Sequence, residues 1–132
     1  MTSWTVRQIL DATGGQLVRG RPTGAISGIA IDSRRLATGE AFVAIQGARL
    51  DGHRFIEEAA HRGASCLVVS YVPTPTNGSA SLPTVLADDT TEALGRLARF
   101  HRRRLNPTVI AVTGSCGKTT TKELIAHLLG GP

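Results

Sequence analysis

The stretch EAFVAIQGARLDGHRFIEEAAHRGASCLVVS, residues 40–70, contains the pattern that decides the fold class. It begins with a short apolar run, passes through a glycine-containing loop and ends in a second apolar run, SCLVVS. Between the runs, the apolar residues Ile56 and Ala60 are four positions apart, which is the spacing of one helical face. Gly63 then provides a helix stop. Strand, helix and strand in this order predict a small α/β unit.

The segments on either side extend this unit. Upstream, TVRQILDATGG (residues 5–15) has one apolar helical face and ends at paired glycines, and GIAIDSRRL (residues 28–36) is typical of a short strand with a polar end. Downstream, YVPTPTNGSASLPT (residues 71–84) is rich in proline, threonine, serine and glycine, as linkers are. We therefore place a domain boundary near Pro83, which gives domains 1–83 and 84–132.

The second predicted domain contains three elements. DDTTEALGRLARFHRRRL (residues 88–105) predicts a helix that begins at Asp89 as N-cap, with Glu92 three positions later. PTVIAVTG (residues 107–114) predicts a strand, and KTTTKELIAHLL (residues 118–129) predicts a helix. The apolar positions of that last helix are expected to face inward: Leu124, Ile125, Leu128 and Leu129.

Composition excludes several classes of protein. The 132 residues carry a net charge of +5, are 41% hydrophobic and 19% charged, and contain no apolar run long enough for a membrane span. The start lacks the pattern of a secretory signal, and two cysteines are too few for a disulfide framework, so we expect a cytoplasmic protein with no membrane contact. Much of the basic excess lies late in the helix over residues 88–105, where cations suit the negative helix end. Five aromatic residues and no nucleic-acid module argue against nucleic acid as a partner.

TGSCGKT, residues 113–119, joins the predicted strand to the last helix. A buried strand that ends in a glycine loop and opens a helix can hold phosphate, because backbone N–H groups and the positive helix end face the anion. Lys118 would reach the β- and γ-phosphates, and the Thr119 hydroxyl would bind Mg²⁺. The general phosphate-loop pattern has glycine where this chain has Val112, so the loop is a shorter variant. A simple glycine turn would explain the glycines but not the lysine and threonine that follow.

This shortened loop resembles the ATP site of the Mur ligase family, whose members build the peptide of bacterial peptidoglycan. Three further motifs are similar to the N-terminal domain that holds the UDP-sugar end of the substrate: D-S-R at residues 32–34, G-x-x-F-V-A at residues 39–44 and D-G-H-x-F-I at residues 51–56. The resemblance covers nearly the whole chain. It implies an α/β fold, in which a small UDP-substrate domain is followed by the first strand-loop-helix of a truncated P-loop ATPase domain.

Within the family, Ser115 and the pair Lys122-Glu123 resemble the MurF branch, which adds D-alanyl-D-alanine to UDP-N-acetylmuramoyl-tripeptide. The resemblance implies ATP and Mg²⁺ as cofactors, an acyl-phosphate intermediate and those two compounds as partners of a monomeric enzyme. Two alternatives stay open. One is the MurE branch, which adds the third amino acid, and the other is a non-catalytic UDP-sugar-binding module.

The resemblance also assigns site residues. It implies uridine-diphosphate contacts for Ser33 and for the loop Ala48, Arg49, Leu50 and Asp51. It implies ATP contacts for the glycine loop, with Lys118 as the catalytic residue and Thr119 as the metal ligand: Gly114, Ser115, Cys116, Gly117, Lys118, Thr119 and Thr120. Without it, the D-S-R motif would be a polar strand end. His53 is expected to be a helix-entry residue rather than a catalyst.

Two expectations concern the chain as a whole and its thiols. The family's further magnesium ligands, modified lysine, adenine contacts and C-terminal domain have no counterpart in the 132 residues, so we expect a fragment without ligase activity of its own. Cys116 lies beside Lys118 at a helix N-terminus, where a thiol is either reactive or only fills a small-residue position. Cys66, inside CLVV, is expected to be inert.

Overall fold

The computed structural model describes residues 3–130. Seven strands and four α-helices follow one another along the chain: β1 (Trp4–Thr5), α1 (Val6–Thr13), β2 (Gln16–Arg19), β3 (Ala25–Ile26), β4 (Ile29–Ala30), β5 (Ala41–Val43), α2 (Ile56–His61), β6 (Cys66–Val69), β7 (Thr84–Leu86), α3 (Thr90–Leu105) and α4 (Lys118–Leu128). Two short 3-10 helices, Ser33–Arg35 and Gly52–Phe55, follow β4 and precede α2.

A five-stranded sheet with the order β2-β7-β6-β5-β4 forms the centre of the protein. Strands β4 to β7 run parallel to one another, β2 pairs antiparallel with β7, and β1 and β3 form a separate antiparallel pair. The α/β class predicted from the sequence is confirmed. Because the parallel strands share a direction, the loops that leave β4, β5, β6 and β7 meet at one edge of the sheet, the edge at which open α/β sheets bind ligands.

Helices cover both faces of this sheet. Successive residues of a strand point to opposite faces, so Cys66 and Val68 of β6 pack on the side of α1 and α3, whereas Leu67 and Val69 pack on the side of α2. All four side chains are fully buried. This two-sided burial explains why the sequence of β6 is apolar throughout rather than alternating.

Helix α3 is held at both ends. At its start the Asp89 carboxylate accepts a hydrogen bond from the Glu92 backbone N–H at 2.9 Å, as the N-cap pattern predicted. Near its end Trp4 stacks on His101, with ring centroids 5.6 Å apart, and the Arg104 guanidinium lies 5.6 Å from the Trp4 ring centroid. Alanine and leucine positions on its inner face, Ala93 and Leu97, complete the core shared with α1.

The compact unit extends beyond the boundary predicted near Pro83. Strand β7 pairs with β6 in register, with Val85 opposite Val68, and α3 packs on α1. The linker composition of residues 71–84 therefore marks a connection between two strands of one sheet rather than the end of a unit. The division into domains 1–83 and 84–132 stays a prediction, and we propose that any second domain begins after Asn106, whose left-handed conformation ends α3.

The strand predicted over residues 107–114 is wrong for the described chain. Val109 and Ile110 are more than half exposed, and none of the seven strands within residues 3–130 pairs with this segment. A strand persists through hydrogen bonds to a neighbour, so apolar composition alone does not produce one. The helix predicted over residues 118–129 is confirmed as α4, but its expected inward face is not: Ile125 is half-buried, and Leu124, Leu128 and Leu129 are exposed. No helix described within residues 3–130 has the length and apolar character that crossing a bilayer requires.

We expect a chain of residues 1–105 to unfold in urea with the same midpoint as the whole protein, because residues 107–130 contribute little to the core. A chain of residues 1–83 should show no cooperative transition, because it lacks β7 and α3 and exposes the apolar surface that they cover. Far-UV circular dichroism during urea titration measures both. A cooperative transition in the shorter chain would contradict the boundary at Asn106.

Candidate functional site

A cleft of about 350 Å³ opens at the carboxyl ends of β4 and β5. Its volume lies within the range of small-molecule sites. Two exposed apolar side chains, Ile31 and Leu50, line it together with polar groups of the 3-10 helix that follows β4. The full set of lining residues is Ile31, Asp32, Ser33, Arg34, Ile45, Leu50, Gly52 and Phe55.

Ser33, one of the predicted site residues, is buried at the margin of this cleft. Its hydroxyl donates a hydrogen bond to Glu58 Oε2 at 2.8 Å, and Glu58 also accepts one from Arg62 Nε at 3.2 Å. A hydroxyl has a single proton, so with that proton directed at Glu58 the Ser33 oxygen can only accept a hydrogen bond from a ligand. Sequence reasoning missed Glu58, because the two residues lie 25 positions apart.

Asp32 and Arg34 neutralise each other beside Ser33. The Arg34 guanidinium donates to both carboxylate oxygens, at 3.0 and 2.9 Å, and the Arg34 backbone N–H donates to Oδ1 at 3.0 Å. The hydrogen bonds from the Arg34 side chain and backbone lower the pKa of the Asp32 carboxyl. This exposed pair shapes the turn after β4 and offers a ligand little net charge.

The predicted loop Ala48–Asp51 forms the tip of a tight hairpin after β5. The Gly47 N–H donates to the Leu50 carbonyl at 2.9 Å, and the Gly52 N–H donates to the Ile45 carbonyl at 2.8 Å. A Cβ at Gly52 would lie 2.7 Å from the Ile45 nitrogen, so this close approach of the two arms requires glycine. Ala48, Arg49 and Leu50 at the tip are exposed.

Asp51 closes the hairpin and joins it to the end of β6. Its carboxylate accepts hydrogen bonds from the His53 backbone N–H at 3.0 Å and the Tyr71 hydroxyl at 2.7 Å, and it lies 2.6 Å from His53 Nδ1. Loss of water contact tends to raise the pKa of this carboxyl, but the hydrogen bonds from His53 and Tyr71 outweigh it and lower the pKa to about 2. Asp51 is therefore ionised throughout the physiological range.

The glycine loop lies apart from the cleft, at the start of α4. Gly114 and Gly117 have positive φ angles of 149° and 75°, which favour glycine, and α4 begins directly after Gly117 without a side-chain cap or an acidic residue in its first turn. The first backbone N–H groups of a helix have no partner within it, so an anion would be stabilised there. The predicted phosphate-site residues are all exposed: Gly114, Ser115, Cys116, Gly117, Lys118, Thr119 and Thr120.

These features fit a phosphate group, whereas the fit to a metal ion is partial. Within residues 3–130 no group of three histidine, cysteine, aspartate or glutamate side chains is placed to hold a metal. Thr119 offers one hydroxyl oxygen, a ligand type that suits Mg²⁺. A magnesium ion at this position would need phosphate oxygens and water to complete its coordination.

The structure brings Ser33 and Leu50 to the same cleft and leaves the glycine loop elsewhere. Among the described residues, no hydrogen bond or ion pair joins the loop or α4 to the cleft. His53 is more than a helix-entry residue, because its buried ring connects Asp51 to Ser70. The D-G-H spacing could have suggested the contact with Asp51, but no local pattern pointed to Ser70, which lies 17 positions away.

Comparison with known proteins shows what this arrangement is similar to. Residues 25–102 match the family model described as "Mur ligase family, catalytic domain". The UDP-N-acetylmuramoyl-tripeptide--D-alanyl-D-alanine ligases of Bacillus subtilis and Escherichia coli are 39% and 37% identical to the chain over 98% of its length. A UDP-N-acetylmuramoyl-L-alanyl-D-glutamate--2,6-diaminopimelate ligase of Chlorobium phaeobacteroides is 40% identical over 94% of this chain and 24% of its own.

Solved structures agree with these relatives. MurF from Acinetobacter baumannii superposes with a TM-score of 0.84 at 35% identity, over 98% of this chain and 28% of that one. MurF ligase from Thermotoga maritima in complex with ADP gives a TM-score of 0.62 at 34% identity, over 77% of this chain and 23% of that one. The chain spans 28% of the Bacillus subtilis relative and 27% of the Escherichia coli one.

The two cysteines should differ sharply in reactivity. Burial raises the pKa of the Cys66 thiol to about 12, whereas Cys116 is exposed in the glycine loop. We expect iodoacetamide at neutral pH to alkylate Cys116 at least about 100-fold faster than Cys66, as measured by peptide mass spectrometry, because the thiolate is the reacting form. Unfolding in urea is the control and should equalise the rates. Equal labelling of the folded protein would show that β6 is not protected as described.

Proposed function

Because this chain belongs to the Mur ligase family, we propose that it provides the UDP-sugar cleft and the phosphate loop of an ATP-dependent ligase. The reaction joins D-alanyl-D-alanine to UDP-N-acetylmuramoyl-tripeptide, a step of peptidoglycan precursor synthesis. One observation carries the proposal, which is that the chain contains both features. A glycine loop leads into a helix whose N-terminus has no side-chain cap, and a ligand-sized cleft lies at the carboxyl edge of the sheet. The Bacillus subtilis and Escherichia coli ligases named for this reaction match 98% of the chain, which includes both features.

The cleft suits the uridine end of a UDP-sugar. Ile31 and Leu50 present exposed apolar surface, against which a flat base can pack. The Ser33 oxygen accepts a hydrogen bond from a base N–H, since its own proton is directed at Glu58. Arg49, exposed at the hairpin tip that carries Leu50, would supply a positive charge for the diphosphate.

The glycine loop suits the ATP end of the reaction. The tripeptide carboxylate and the triphosphate repel each other, so bringing them together requires positive charge at the point of contact. Lys118 and the free N–H groups of the first turn of α4 would bind the phosphate oxygens, and the Thr119 hydroxyl would help to hold a magnesium ion, whose charge would offset that of the phosphates.

The proposed reaction has two steps. The carboxylate oxygen attacks the γ-phosphorus of ATP, ADP leaves, and an acyl phosphate forms. The amine of D-alanyl-D-alanine attacks the acyl carbon, loses a proton and displaces phosphate, which leaves an amide. We propose that the ligase to which the chain contributes acts in the cytoplasm as a monomer.

Ser33→Ala should weaken binding of UDP-N-acetylmuramoyl-tripeptide to the chain about 5-fold, the effect of one lost hydrogen bond of about 1 kcal/mol. Isothermal titration calorimetry measures it. Ser81→Ala is the matched control, because Ser81 is an exposed serine of the segment between β6 and β7. Equal affinities for the two variants and the unchanged chain would remove Ser33 from the site.

Lys118→Ala should abolish ligation. For the assay, the chain replaces the segment that it matches in the Bacillus subtilis relative, and phosphate release is measured with UDP-N-acetylmuramoyl-tripeptide and D-alanyl-D-alanine. Removing one charge that stabilises the transition state costs about 3 kcal/mol, or at least a 100-fold loss of turnover.

Lys122→Ala, one turn further along the exposed face of α4, is the control and should stay within about 3-fold of the unchanged hybrid. A Lys118 variant with a tenth of full turnover would contradict the assignment. Turnover with UDP-N-acetylmuramoyl-L-alanyl-D-glutamate and 2,6-diaminopimelate instead would favour the activity named for the Chlorobium phaeobacteroides relative.

A further inference from the structure

The His53 ring is a buried polar group near the cleft. Its side chain is 1% exposed, and it lies between the end of the hairpin and the end of β6. Nδ1 lies 2.6 Å from Asp51 Oδ1, and Nε2 accepts a hydrogen bond from the Ser70 backbone N–H at 3.0 Å. One face of the ring stacks on Tyr71, with centroids 4.0 Å apart and planes at 18°.

These contacts determine which nitrogen carries the proton. A backbone N–H can only donate, so the Nε2 that faces the Ser70 N–H must offer a lone pair. The ring proton therefore lies on Nδ1 and is donated to the Asp51 carboxylate. The two nitrogens thus act differently, because Nδ1 holds the hairpin and Nε2 holds the ring to the end of β6.

The contact between His53 and Asp51 attaches one end of the hairpin to the rest of the fold. Its arms are joined by two backbone hydrogen bonds, at Gly47 and Gly52, while the tip from Ala48 to Leu50 is exposed. Side-chain anchoring of the Asp51 end to the rest of the fold comes from His53 and Tyr71. Leu50, one wall of the cleft, directly precedes Asp51, so a shift of Asp51 moves that wall relative to Ser33.

We propose that His53 is a positioning residue for UDP-sugar binding, because its Nδ1–H is donated to Asp51 and so holds Leu50 in place as a wall of the cleft. This role rests on the proposed function of the cleft. It differs from that of a buried histidine that only stabilises the core, because it runs through one ring nitrogen. Loss of the Nδ1 donor should impair ligand binding, whereas loss of the Nε2 acceptor should cost stability alone.

Two substitutions separate the nitrogens. His53→Asn places an amide N–H near the position of Nδ1 and keeps the donor to Asp51, but it loses the acceptor for Ser70. His53→Gln places a carbonyl near the position of Nε2 and keeps that acceptor, but it loses the donor. We expect the Gln variant to bind UDP-N-acetylmuramoyl-tripeptide about 10-fold more weakly than the unchanged chain, and the Asn variant to stay within about 3-fold.

Hydrogen exchange gives a readout that does not depend on the ligand. The Gly47 and Gly52 amides close the hairpin, so their exchange should be faster in the Gln variant than in the Asn variant. Urea unfolding of both variants corrects for global stability. Tyr71→Phe removes the other side-chain donor to Asp51 and keeps the ring; it should weaken binding about 3-fold even if neither His53 variant folds.

The outcomes separate this role of His53 from the proposed function. Calorimetry of the unchanged chain that shows no binding of the UDP-substrate would overturn the proposed cleft, and the role of His53 with it. If the unchanged chain binds, equal affinities for the Asn and Gln variants, together with equal exchange at Gly47 and Gly52, would overturn the role of His53 alone. If both His53 variants are unfolded, unaltered binding by Tyr71→Phe would show that anchoring of Asp51 does not position the cleft. That result would also overturn the role of His53.

Discussion

The fold depends on the burial of β6 on both of its faces. Leu67 pairs with Phe42 of β5 on one side and with Thr84 of β7 on the other, and all three side chains are almost wholly shielded from water. A strand with apolar groups on both faces is stable only when a layer covers each face. Helices α1 and α3 cover one face and α2 covers the other, which fixes the three-layer arrangement and the positions of the strand ends.

The candidate site follows from where those strand ends lie. The 3-10 helix after β4 carries Ser33, the hairpin after β5 carries Leu50, and the residues after β6 carry Ser70 and Tyr71. Side-chain hydrogen bonds tie the hairpin end to the residues after β6, through His53 and Tyr71, and tie the 3-10 helix to α2, through Ser33 and Glu58. Loops tied down in this way can hold a ligand wall in place without a large loss of chain entropy on binding. The glycine loop, in contrast, is formed by local backbone geometry at the start of α4 and has no described hydrogen bond to this edge.

Local features were predictable from the sequence, and long-range ones were not. The strand-helix-strand centre, the Asp89 cap and the glycine loop all depend on residues within a few positions of one another, so short-range patterns revealed them. Strand β7 was missed because only three residues form it and a proline-rich segment precedes it. The strand expected over residues 107–114 failed for the opposite reason, since its apolar composition was suitable but no partner strand lies beside it within the described chain. The hydrogen bond from Ser33 to Glu58 joins two residues that come close together only in the folded protein.

The contact of Trp4 with the end of α3 joins the two ends of the compact unit. The Arg104 side chain donates to the Ser3 carbonyl, 101 positions away, and the same arginine lies over the ring of Trp4. Contacts of such sequence separation slow folding, because closing a long loop costs entropy before other contacts offset it. Trp4 is the sole tryptophan in the sequence, so its fluorescence comes from the seam where the first strand meets the last turn of α3. Tryptophan fluorescence during refolding therefore reports when the N-terminal strand packs against the end of α3.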